Sequence, residues 1–66
     1  MNILLNGENH TLPETAHLGD LLAQLGLSGQ RLAIELNGDI VPRSQHDATL
    51  LKDGDRVEIV RAIGGG

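Results

Sequence analysis

Cysteine is absent from this 66-residue chain, and so are phenylalanine, tyrosine and tryptophan. Without Cys, disulfides and thiolate metal sites are excluded. Without aromatics there is no platform on which nucleobases could stack. Basic residues are scarce too: Arg31, Arg43, Lys52, Arg56 and Arg61 are outnumbered by acids, and the net charge is −4. Nucleic acid is not an expected partner, because its phosphates require clustered Lys and Arg.

Long apolar runs are missing as well. No stretch approaches the roughly 18 residues that cross a bilayer. The segment from Met1 to Asn6 has neither the charged region nor the long apolar region of a secretory leader. The expectation is a cytoplasmic protein with no membrane association. Its interior has to be built from Leu, Ile and Val, and a chain of 66 residues makes one domain. So short a chain buries little apolar area against conformational entropy, so modest stability is expected. It also leaves no room for a deep pocket lined on all sides, which weighs against a self-contained enzyme.

What is present is organised by turns. Met1 to Leu5 is apolar and runs into Asn6-Gly7, a pair that tolerates the positive φ values of a two-residue hairpin turn. Glu8 to Leu12 reads as the returning strand, and Pro13 stops it. Leu18, Leu21, Leu22 and Leu25 then recur at i, i+3, i+4 and i+7, one face of a helix. Gly26 suits its C-terminal end. At the N-terminal end, Thr15 is a good cap, and His17 has Asp20 at capping-box spacing. Gly19 inside the helix costs about 1 kcal/mol relative to Ala.

Leu32, Ile34 and Leu36 alternate as a strand, followed by a second Asn-Gly turn at Asn37-Gly38 and a short strand, Asp39 to Val41, ended by Pro42. Ser44 to Thr49 is polar and reads as loop. Leu50-Leu51 returns toward the core, and Asp53-Gly54-Asp55 turns again. Arg56 to Arg61 is the last strand, with Val57 and Ile59 on one face and Glu58 and Val60 on the other. The order ββαββ plus a late strand predicts an α+β fold, a mixed sheet with one main helix packed on one face.

The chain ends Ile63-Gly64-Gly65-Gly66. Glycine has no Cβ, so this segment is free in φ/ψ, and three extended residues reach about 10 Å. Such an arm could pass through a narrow channel on another protein. A run of glycine also suits a terminus where nothing selects against it. The expected division is a domain over residues 1–63 and a tail over residues 64–66.

Other constellations carry less. His10, His17 and His46 have irregular spacing and no metal-binding pattern, so they are expected at solvent-facing strand, cap and loop positions, with no metal site. Asp53 and Asp55 lack the remaining ligands of a calcium loop. Pro42-Arg43 reads first as a strand stop, with Arg43 free to meet a carbonyl or a partner. No Ser-His-Asp or Cys-His grouping is readable.

Taken together, Asn6-Gly7, the helix Leu18 to Leu25, the run Ala33-Ile34-Glu35-Leu36-Asn37-Gly38-Asp39-Ile40-Val41-Pro42-Arg43, the stretch Leu51 to Val60 and the terminal glycines resemble the ThiS family. These are ubiquitin-like β-grasp sulfur carriers of thiamine biosynthesis, and the resemblance covers essentially the whole chain. His17 departs from it, since Ser or Thr more often caps the helix there. The resemblance implies that the Gly66 carboxylate is adenylated and then converted to a thiocarboxylate, with Gly64 and Gly65 threading the partner's channel. It implies an E1-like adenylyltransferase (ThiF) using Mg-ATP, a sulfur-donor protein and a thiazole synthase (ThiG) as partners. The chain itself would be a monomer when free, would bind no cofactor and would not be an enzyme. Leu4, Val60 and Ile63 are the docking candidates. The small subunit of molybdopterin synthase, a covalent protein modifier and a non-covalent binding module are the alternatives.

Overall fold

The fold was read from a computed structural model, which describes residues 1–61. Ile63, Gly64, Gly65 and Gly66 lie outside the described residues, as does the expected boundary between domain and tail.

The N-terminal hairpin forms as the turn chemistry requires. Strand β1 (Asn2–Leu5) pairs antiparallel with β2 (Glu8–Thr11), closing on Leu5 opposite Glu8. Asn6 and Gly7 sit at φ 50° and 84°. Both central residues are therefore left-handed, the turn whose twist matches that of the strands. Asn37 and Gly38 repeat this at φ 51° and 91° between β3 (Leu32–Leu36) and the short β4 (Asp39–Ile40).

Helix α1 runs Leu18–Gln24 and buries Leu18, Leu21 and Leu22. Its C-terminus closes as a Schellman motif: Gly26 N–H donates to Ala23 O at 3.1 Å and Leu27 N–H to Leu22 O at 2.8 Å. Gly26 sits at φ 73°, where a Cβ would be strained. Its N-cap is His17, whose N–H donates to Asp20 Oδ2 at 2.8 Å, while Thr15 lies in the turn before.

The segment from Ser44 to Thr49 is not a free loop. A 3-10 helix covers Arg43–Gln45, and the carbonyls that follow it cap α1. Leu18 N–H donates to Thr49 O at 2.8 Å and Gly19 N–H to His46 O at 3.1 Å. These are amides that a helix cannot satisfy internally. Docking draws His46 inside, so the solvent-facing position expected for it is wrong: it is 7% exposed, with Nε2 donating to Val41 O at 3.0 Å. His10 and His17 stay accessible, His10 meeting Gln24 Oε1 at 2.7 Å. The same approach accounts for Gly19. A Cβ there would overlap Asp47 Oδ1 and lie 3.2 Å from Asp47 Cα.

The last strand, β5 (Arg56–Arg61), enters the middle of the sheet, giving the order β2-β1-β5-β3-β4. It is parallel to β1 and antiparallel to β3. The core lies between sheet and helix and is wholly aliphatic: Ile3, Leu12, Ala16, Leu18, Leu21, Leu22, Ile34, Leu51 and Val57. Each fully buried Leu, Ile or Val contributes about 1.5–3 kcal/mol relative to exposure. Among the described residues, no helix is long and apolar enough to cross a membrane.

Two glycine substitutions separate the causes at the ends of α1. Gly26→Ala meets open space and should lose about 1 kcal/mol in urea unfolding from backbone strain alone. Gly19→Ala should fail to deliver its helix-propensity gain in the native background. It should become markedly less costly alongside Asp47→Ala, and additivity in that double-mutant cycle would refute the packing account.

Candidate functional site

The tail follows β5, so the site is built on the strand that holds it. Leu4 and Leu5 of β1 pair with Arg56 and Val57, and there β1 ends. Asn6 takes over with its side chain. Ile59 N–H donates to Asn6 Oδ1 at 2.8 Å, and Asn6 Nδ2 donates to Ile59 O at 3.3 Å. The amide thus stands in for a further strand residue, extending the ladder past the turn. Asn37 does the same at the other end: Arg56 N–H donates to its Oδ1 at 2.8 Å, and its Nδ2 reaches Asp55 Oδ1 at 3.0 Å. Both turn asparagines therefore work twice, once through positive φ and once as clamps on β5. Sequence reasoning assigned only the first role.

Past Ile59, β5 is paired only with β3, through Val60–Ala33 and Arg61–Leu32. A cavity of about 320 Å³ opens on this end of the sheet, bordered by Leu5, Leu25, Leu27, Leu32, Ile59 and Arg61. A second, of similar volume and polar lining, lies between α1 and the capping loop beside Arg43, His46 and Asp47. Among the described residues, no group of His, Asp and Glu could hold a metal ion.

The outer sheet face carries the docking candidates. Leu4 is 43% exposed and Val60 62%, on the adjacent strands β1 and β5. Ile63 and the three tail glycines lie outside the described residues. The structure adds Ile40 of β4, 65% exposed and directly opposite Glu35. It also places Glu35 directly opposite Glu58. Alternation along each strand puts these side chains outward, but only the register shows that they meet.

A mixed five-stranded sheet with the last strand at its centre and one helix across a single face is the ubiquitin-like β-grasp. Within that class, residues 3–66 match the ThiS family, and the chain belongs to it. The crystal structure of a thiamine biosynthesis protein (ThiS) from Geobacter metallireducens matches at a TM-score of 0.85 and 38% identity, covering all of both chains. The chain is 36% identical over its full length to the uncharacterized protein ycf40 of Porphyra purpurea, of which it spans 93%. It is also 38% identical to a thiazole synthase of Paramagnetospirillum magneticum, but spans only 20% of that protein.

Asn6→Gly isolates the clamp, because glycine keeps the left-handed turn while removing the amide. It should lower stability by about 1 kcal/mol and speed hydrogen exchange of the Ile59 amide, with little change at the amides of β2. Unaltered exchange at Ile59 would show that the clamp holds nothing.

Proposed function

We propose that this chain is a sulfur carrier whose Gly66 supplies a C-terminal carboxylate for adenylation and conversion to a thiocarboxylate. The observation that carries the reading is membership of the ThiS family with the glycine-ended segment following the central strand of the sheet. A carboxylate is a poor electrophile, since its charge is delocalised and oxide is a poor leaving group. Attack of the carboxylate on the α-phosphorus of Mg-ATP, on an E1-like adenylyltransferase, releases pyrophosphate and gives a mixed anhydride from which AMP departs readily. A persulfide on a donor protein attacks that carbonyl carbon and releases AMP. Cleavage of the resulting acyl disulfide by a thiol leaves the thiocarboxylate on Gly66. Tethered in this way, the sulfur nucleophile reaches an acceptor site at high effective concentration.

The division of labour suits the fold. Catalytic groups belong to the partners, while the domain offers a rigid strand from which Gly64 and Gly65 extend into a channel too narrow for side chains. Leu4, Val60 and Ile63 belong to the docking surface. A thiazole synthase is the acceptor on this reading. The likeness of this chain to a fifth of a thiazole synthase supports that choice, since a module found within an enzyme's own chain is suited to serve that enzyme.

Intact-mass spectrometry tests the reading. After incubation with adenylating enzyme, ATP and a sulfur donor, the protein should gain sulfur in place of one oxygen. No change, under conditions where a known carrier reacts, would exclude the carrier role, and attachment to lysines of other proteins would mark a modifier instead. Adding one alanine beyond Gly66 should abolish the sulfur gain and leave thermal stability unchanged. Retained activity of that extended protein would show that the carboxylate is not the site.

A further inference from the structure

The core is open at the end of the sheet where β5 runs out. The cavity of about 320 Å³ there is walled by the aliphatic side chains of Leu5, Leu25, Leu27, Leu32 and Ile59. All five are partly buried and pack against the core cluster. They line the interior on one side and face a gap on the other, and a gap forfeits the dispersion contacts that a filled space supplies. Arg61 stands at the rim, as the last residue of β5 and opposite Leu32.

Alternation along β5 identifies the next inward position. Val57 is fully buried and Ile59 packs on the core, while Glu58 and Val60 are exposed. Successive side chains of a strand point to opposite faces. Beyond Arg61 the next inward position is therefore Ile63, about 7 Å further along an extended chain. The residues that follow Arg61 are Ala62, Ile63, Gly64, Gly65 and Gly66, so Ile63 carries the one large apolar side chain among them.

We propose that in the free chain Ile63 seats in this cavity and closes the end of the core, leaving Gly64, Gly65 and Gly66 to extend from it. The lining is aliphatic, and so is the occupant. A tether of two residues holds Ile63 beside the cavity at high effective concentration, an advantage that neither a second copy nor a dissolved apolar ligand has. The glycines after it have no side chain with which to compete. What this does for function rests on the carrier reading. Three extended residues reach about 10 Å, and five reach about 17 Å. A partner whose reaction centre lies deeper than the shorter reach has to draw Ile63 out of the cavity. Only then does Ile63 join the docking surface, so threading costs the burial of one isoleucine and the seated state keeps the arm short.

The absence of cysteine provides the test, because a thiol introduced into this chain is the only one. In the full chain, Ile63→Cys should react with a soluble disulfide reagent about tenfold more slowly than Ala62→Cys, and the two rates should become equal in urea. Nuclear Overhauser contacts from the Ile63 methyls of the unaltered protein should reach the methyls of Leu25, Leu27 or Leu32. Ile63→Ser should lower the thermal midpoint by about 5 °C, while Ile63→Leu and Ala62→Ser should hold it. Equal thiol rates in the native protein would overturn the proposal, leaving the cavity to water. So would protection without contacts to the lining, which would put Ile63 elsewhere, or protection lost on dilution, which would make the occupant a second copy. A midpoint unmoved by Ile63→Ser would overturn it too. All of these measurements read the free chain. Sulfur gain by a protein whose Ile63 is unprotected removes this inference and leaves the carrier role, whereas protection without sulfur gain leaves the seated side chain and removes the carrier role.

Discussion

The insertion of β5 between β1 and β3 is the constraint on which the rest of the structure depends. A strand that closes a sheet from its middle must satisfy hydrogen bonds on two edges, and its neighbours have to be in place to receive it. On the β3 side the ladder runs from Val57 to Arg61. On the β1 side it covers only Arg56 and Val57, and the Asn6 side chain completes it at Ile59. The segment that bears the proposed chemistry therefore follows, in the chain, the central strand of the sheet.

The helix depends on the same economy. Seven residues make too few internal hydrogen bonds for independent stability. Leu18, Leu21 and Leu22 anchor it to the sheet, and the loop after the 3-10 helix supplies the carbonyls that its first amides need. That supply requires the loop to lie against Gly19, so a residue unfavourable in a helix is favoured by the tertiary contact. His46 is buried as a consequence, its Nε2 satisfied by the Val41 carbonyl.

With one face of the sheet committed to the core, the other is exposed. In a domain without aromatics the large apolar side chains exposed on this face are aliphatic: Leu4, Ile40 and Val60. Glu35 and Glu58, opposite one another on β3 and β5, give this face an acidic centre.

Much of this was legible in the residues themselves. Asn6-Gly7 and Asn37-Gly38 fix their turns locally, because few other pairs accept two successive positive φ values, and both hairpins follow. The leucine period fixes the helix and its buried face, and alternation fixes which side chains of β3 and β5 point inward. The docking of the 43–49 segment was not legible, since its polar residues carry no period and the burial of His46 arises from distant carbonyl partners. Nor was the second use of Asn6 and Asn37, whose partners lie 53 and 19 residues away in sequence. The sequence by itself determined elements, turns and the apolar face, because these depend on neighbours within a few residues. Only the tertiary structure decided that β5 lies at the centre and that Glu35 meets Glu58, because register between distant strands is set by the packing of the whole core.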